Sequence, residues 1–307
     1  MRRRTLLALG AGAVVAACAA REATMPDPEA LYPPEGDFVT VEGTRLHYLR
    51  QGAGPPLILI HGASGNLRDW SFGIMGEMAK THDVIAFDRP GHGYSERPAT
   101  SGAEIAGQAL LMRGAAAALG VERAVLAGHS FGGAVALAWA ADAPESVAGL
   151  LLVSAAAQPW EGGPGLLYSL AAGRVTGPVV ATALPRLAAG SLVDGALERV
   201  FAPEAMPEGY GEHVGTGLAL RPRTVRWNAE DIVALKPQLA RLAPRYPTLG
   251  VRAEIVHGTA DRVVPLAVHG EPLSAALPNA RLTSLPGAGH MPHHTRPAAV
   301  LEALARL

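Results

Sequence analysis

From Phe38 onward, short apolar runs alternate with amphipathic stretches. "FVTVEG" and "RLHYLRQG" each alternate apolar and polar residues with a period of two and meet at Gly43, which predicts an antiparallel hairpin. Beyond them the runs become continuous: "PLILIHG", "DVIAFDRPG", "RAVLAGHS", "VAGLLLVSA", "AEIVHG" and "ARLTSLPG". A strand reads this way when both faces of its sheet are covered, as happens in parallel sheets flanked by helices. The stretches between them have helical periodicity, at about Glu104–Leu119, Phe131–Ala143, Leu266–Leu277 and Arg296–Leu307. Together these elements predict an α/β fold, with a mostly parallel eight-stranded sheet, helices on both faces and the hairpin as an antiparallel edge.

The alternation stops at about Gln158 and resumes near Arg252. The segment between is rich in Gly, Pro, Leu and Arg, carries helical patches such as "GALERVFA" and "AEDIVALKPQLARL", and has no strand run. It reads as a helical insertion within one domain spanning 37–307. A chain of 307 residues can bury a large core, and 49% hydrophobic with 17% charged residues is a globular composition. A formal charge of −1 exerts no pull toward nucleic acid, and neither GxxxxGK[ST] nor GxGxxG occurs.

The first residues are of a different kind. "MRRRTLLALGAGAVVAACAA" opens on Arg2, Arg3 and Arg4 and ends in alanines around Cys18, the chain's one cysteine. Its apolar part is roughly 13 residues, short of the ~18 that a membrane span needs, so 1–20 reads as a signal peptide. "VAAC", Val15 to Cys18, resembles the bacterial lipoprotein signal, which implies lipidation at the Cys18 sulfur and a lipid anchor; simple cleavage near Ala20 is the alternative. Arg3 and Arg4 ahead of Leu6 and Leu7 also resemble a twin-arginine export signal. The expected location is therefore outside the cytoplasm, either periplasmic or membrane-anchored. Removing residues 1–17 with their three arginines would take the formal charge from −1 to −4. "REATMPDPEALYPPEG", Arg21 to Gly36, is rich in Pro and acidic residues without periodicity and is expected to be a tether.

The chemistry concentrates at Gly128-His129-Ser130-Phe131-Gly132, a G-x-S-x-G run with a strand before it and a helix after it. In that context the sharp turn pushes the serine out at the carboxyl edge of the sheet, and the helix N-terminus faces the reaction centre. The plainer alternative is a small-residue turn that eases helix onto strand. A hydroxyl needs a base to become a nucleophile. Of eleven histidines, His290 in "LPGAGHMPHHTRP" lies in a Gly-rich loop after the last strand, where a base could reach Ser130; His293 and His294 share that loop. A metal reading of these three would need an acid or thiolate that the loop lacks, so no metal is expected. Asp261, just past "AEIV", is the candidate orienting acid, with a turn or cap role before Pro265 as its plainer reading. The order Ser, Asp, His is the one this constellation takes on an open α/β sheet.

With these motifs, and with "HGASGNLRDW" (His61–Trp70) and "DRPGHGYSERP" (Asp88–Pro98), the chain resembles the α/β-hydrolase fold superfamily over about 37–307. The two loops look like those of the branch holding simple esterases, epoxide hydrolases, haloalkane dehalogenases and C–C bond hydrolases. The resemblance implies an oxyanion hole of the Ala63 and Phe131 backbone N–H groups, with His61, Asp88 and Arg89 shaping the loops around it. It also makes the insertion at about 158–252 a cap that roofs the pocket. Epoxide hydrolases and haloalkane dehalogenases of this type carry aspartate where Ser130 stands, and prolyl aminopeptidases show "GGSWG", so those activities are disfavoured.

The expected function is a cofactor-free serine hydrolase acting on small carboxylic esters through an acyl-enzyme. Three alternatives stay open. A C–C hydrolase of diketone-type acids could hold a carboxylate with Arg223 or Arg226; a lipase would suit the expected anchor; a binding protein could have lost the chemistry. Trp160 and Trp227, with the insertion's leucines and alanines, suggest a mostly apolar pocket, although each is more commonly a core residue.

Overall fold

The computed structural model describes residues 27–100, 102–187 and 190–307. The expected signal peptide, Cys18 and the first residues of the expected tether lie outside the described residues. One eight-stranded sheet has the order β1-β2-β4-β3-β5-β6-β7-β8. β1 (Asp37–Val41) and β2 (Thr44–Gln51) form the antiparallel hairpin, and β2 continues antiparallel onto β4 (Asp83–Phe87). β3 (Pro56–Ile60), β4, β5 (Ala124–His129), β6 (Val147–Val153), β7 (Ala253–Gly258) and β8 (Ala280–Leu285) are parallel.

The continuous apolar runs divide their side chains between two cores, because successive residues of a strand point to opposite faces. Ile58, Ile60, Leu126 and Leu152 go to one side with α4 (Ile105–Ala118) and α5 (Phe131–Asp142). Leu57, Leu59, Ala127 and Val153 go to the other, with α2 (Arg68–Ser71), α3 (Ile74–Met78) and the final helix α14 (Pro297–Leu304). Each fully buried leucine, isoleucine or valine among them contributes about 1.5–3 kcal/mol. The expected helix at Leu266–Leu277 begins later, as α12 (Gly270–Ala276).

Between β6 and β7 the insertion is helical throughout its described elements: α6 (Leu166–Ala172), α7 (Thr176–Leu187), α8 (Gly190–Phe201), α9 (Tyr210–His213), α10 (Thr216–Ala219) and α11 (Pro222–Leu242). The tether expectation needs correction over its second half. Pro28–Leu31 forms a helical turn, α1, capped by the Asp27 side chain, and Glu29 pairs with Arg221 and Arg223 of the insertion, each at 2.7 Å. Glu35 reaches Arg68 of the body at 2.6 Å. This segment is docked on the fold because its acids find arginines there, two of them buried.

Candidate active site

β5 ends at His129 and α5 begins at Phe131, leaving Ser130 to make the whole turn at φ 53° and ψ −117°. That positive-φ conformation costs a residue with a Cβ about 1–3 kcal/mol and persists only where its surroundings over-determine it. They do so here: Ser130 N–H donates to the Val153 carbonyl at 3.0 Å, and the Ser130 carbonyl accepts from Gly133 and Ala156 N–H, both at 3.0 Å. Gly132 is required by close approach, since a Cβ there would run into the Ile60 carbonyl and stand 2.7 Å from that of His61.

Asp261 leaves the β7 end and His290 follows β8, and the two meet: His290 Nδ1–H donates to Asp261 Oδ2 at 2.7 Å. The other carboxylate oxygen accepts from Val263 and Val264 N–H, each at 2.9 Å. Burial would raise the carboxyl pKa, but hydrogen bonds from His257 and His290 outweigh it and hold Asp261 well below the ordinary range. An ionised acid on Nδ1 leaves the opposite imidazole nitrogen, Nε2, as the acceptor face.

The residue before Ser130 contacts this pair. His129 Nε2–H donates to the His290 carbonyl at 3.0 Å, and the two rings lie 4.8 Å apart. Among the described residues no hydrogen bond joins the Ser130 hydroxyl to the His290 ring. Ser130 keeps 8% exposure and His290 3%, so both are nearly enclosed.

The loop after β3 lies against the turn: a Cβ on Gly62 would be 3.2 Å from that of Ser130. Its backbone is held from behind. Arg89 Nε donates to the His61 carbonyl at 3.0 Å and its terminal nitrogen to that of Gly62 at 3.2 Å, while its guanidinium stacks 4.3 Å over Phe131. Arg89 is fully buried and paired with Asp231 of α11 at 3.0 Å. With the loop carbonyls tied to Arg89, the next amide, Ala63 N–H, is free of that network. Asn228 of α11 adds a clamp, accepting from Ser64 N–H at 2.7 Å. His61 is a brace: Nδ1–H donates to Gly62 O at 2.8 Å, Nε2 accepts from Arg89 N–H at 2.9 Å, and burial with Arg89 lowers its pKa to about 3. Asp88 accepts from Leu67 and Tyr94 N–H at 2.7 and 2.8 Å, and Ser95 Oγ donates to the Asp88 carbonyl at 2.7 Å, a structural use of that hydroxyl.

One group was absent from the candidates. Asp69, in α2, is buried behind the turn and gathers donors from three side chains: Tyr210 O–H and His294 Nε2–H on Oδ1, both at 2.8 Å, and His293 Nε2–H on Oδ2 at 3.2 Å. His129 Nδ1 stands 3.8 Å from Oδ2 and has no hydrogen-bond partner. The loop histidines thus have the acid that their own loop lacks, supplied across the fold. The ligand atoms of Asp69, His129 and His293 lie within 4.8 Å of one another, so these residues could hold a cation, although three donors already satisfy the carboxylate. The one sequence signal was the adjacent pair His293-His294, since two buried imidazoles need an acceptor from somewhere.

The insertion also reaches the His290 loop through Glu204, which accepts from Gly289 N–H at 3.0 Å and from the Thr295 hydroxyl at 2.7 Å. Arg223 and Arg226 are occupied with Glu29 and Glu230. Trp160 packs beside His269, 6.2 Å between centroids, and Trp227 lies 6.0 Å from the Arg97 guanidinium.

The alpha/beta hydrolase fold family matches residues 55–297. An uncharacterized protein of Mycobacterium tuberculosis is 31% identical over 292 residues, covering 89% of this chain and 81% of the relative. Haloalkane dehalogenase 2 of the same species is 28% identical over 295 residues, covering 91% and 96%. Among solved structures, the enol-lactonase from Burkholderia xenovorans LB400 matches with a TM-score of 0.71 at 25% identity, covering 88% of this chain and 100% of that one.

Proposed function

The chain belongs to the alpha/beta hydrolase fold family, and on that premise we propose that it is a serine hydrolase cleaving carboxylic esters. The observation that carries this is the 2.7 Å bond between Asp261 and His290 at the same sheet edge as the strained Ser130 turn. Ser130 Oγ attacks the ester carbonyl as its proton passes to His290 Nε2, and Asp261 holds the tautomer and steadies the imidazolium. Charge on the former carbonyl oxygen is met by Ala63 and Phe131 N–H. The alcohol leaves with the proton from His290; water then repeats the steps on the acyl-enzyme and regenerates Ser130. Transfer needs Oγ within about 2.6–3.2 Å of Nε2, a contact that commonly tightens only when substrate is bound.

The 25% identical enol-lactonase supports an ester-type bond as the target. The dehalogenase likeness does not extend to the nucleophile, since serine occupies position 130. The C–C bond alternative draws no support from Arg223 and Arg226, whose charges are already paired. A fluorophosphonate probe should label Ser130 and fail on Ser130→Ala, and soluble short-chain esters should turn over; labelling elsewhere, or none on folded protein, refutes the assignment. Export with a lipid on Cys18 is part of the same proposal, and Cys18→Ser should abolish incorporation of a labelled fatty acid into the chain.

A further inference from the structure

The outer helices of the insertion bury the wrong residues for a surface facing water. α7 packs with the stripe Gly177, Ala181 and Pro185, four residues apart, and turns Val179 (69% exposed) and Leu187 to the opposite side. α6 buries only Ala171 and exposes Leu166 (76%), Leu167 and Tyr168. Val175 between them is exposed too, at 86%. Large apolar side chains outside and small ones inside reverse the usual amphipathic order, and exposed apolar side chains gathered on two packed helices, α6 and α7, mark an interaction site. Charge narrows the partner. From Gly162 to Val193 there is no Asp or Glu, and the charged residues are Arg174 and Arg186.

We propose that this face docks on an anionic lipid surface, the leucines and valines entering the acyl boundary and the exposed Arg174 meeting phosphate. A second copy would present the same acid-free patch, with no carboxylate for the exposed Arg174. The chain's entry agrees with this orientation. α1 rests on the insertion, Tyr32 beside Gly215 and Pro28 beside Gly217, so the described chain begins, at Asp27, on the insertion. Docking needs no chemistry at Ser130. The corollary, that the substrates are esters presented in a lipid surface, rests on the ester reading above.

The test uses the full chain in a Cys18→Ser background, which removes the one native thiol. An environment-sensitive fluorophore at Val179→Cys should shift to the blue with vesicles containing phosphatidylglycerol, while the same fluorophore at Leu110→Cys, exposed on body helix α4, should not. Leu166→Glu with Val175→Glu should weaken vesicle binding by about tenfold or more, the worth of losing one or two buried aliphatic side chains. The pair should slow hydrolysis of a vesicle-borne ester and leave a soluble short-chain ester unaffected. Ser130→Ala should bind vesicles as before, so a failed ester assay leaves the docking result standing. An unshifted Val179 fluorophore, an equal response to pure phosphatidylcholine, or a shift that follows a doubling of mass without lipid would each overturn the proposal.

Discussion

Replacing Asp69 with alanine removes one acceptor group from three buried donors at once. Tyr210, His293 and His294 all give their protons to this carboxylate. A hydrogen bond to a charged group is worth about 1.5–3 kcal/mol, and a buried donor left unsatisfied costs about 1–3 kcal/mol. If water entering the vacated space recovers part of this, the net loss is roughly 4–6 kcal/mol, a large share of the ~5–15 kcal/mol that stabilises a domain. At about 2–4 °C per kcal/mol for a domain of this order, Tm should fall by roughly 10 °C or more. Asp69→Asn should cost about half as much, because its amide can keep the carbonyl toward Tyr210 and His294 while its N–H groups meet the unpartnered Nδ1 of His129. The cluster also joins α2, the Ser130 turn and the His290 loop, so kcat should fall by about 10–100-fold in the alanine variant, as sub-ångström alignment is lost. Differential scanning calorimetry and ester turnover check both. An alanine variant melting within about 1 °C of the parent would show that the carboxylate does not bind these elements together.

Asp261→Asn should lower kcat by about 10³–10⁴-fold with little change in KM, because the amide favours the wrong His290 tautomer; near-parental turnover would dismiss its role. Gly132→Ala should lower kcat by about 100-fold or more in a folded protein, since its Cβ would force the His61 carbonyl, 2.7 Å away, and with it the Ala63 amide, out of place. Acid should destabilise the fold well above the carboxylate range. Burial lowers His61 to about 3 and His269 and His293 to about 4, so below pH ~6.5 the unfolded chain takes up protons that the folded one refuses. Each costs up to about 1.4 kcal/mol per pH unit down to its folded value. Asp261, held low, contributes stability above its unfolded value of ~3.9 and loses it only in stronger acid, so denaturant midpoints between pH 7 and 4 should report the histidines.

The eight strands were legible because each is a run whose pattern has a single cause: continuous where the sheet is covered on two faces, alternating in the hairpin that turns back at Gly43. Helices α4 and α5 were legible because they have enough turns to establish a period. α2 and α3, of four and five residues, are too short for one. The docking of residues 27–36 was illegible in principle. Its Pro-rich, acidic composition says only that the segment makes no core, whereas Glu29 is fixed by arginines 192 and 194 positions away.

The site divides along the same line. Ser130 stands in a local pattern, and His290 and Asp261 follow strand ends, so a one-dimensional argument could nominate all three; the structure joins the last two by a hydrogen bond. Asp69 has no local pattern, because its donors come from positions 141 to 225 residues distant. Yet the reason it was missed is also a rule for finding such groups. His293 and His294 were set aside as metal ligands for want of an acid in their own loop, but a buried imidazole pair needs an acceptor wherever the fold can bring one. Here the acceptor comes from the helix directly after the β3 loop, and Trp70 beside Asp69 is committed to the core that Leu59 and Ala127 of β3 and β5 share.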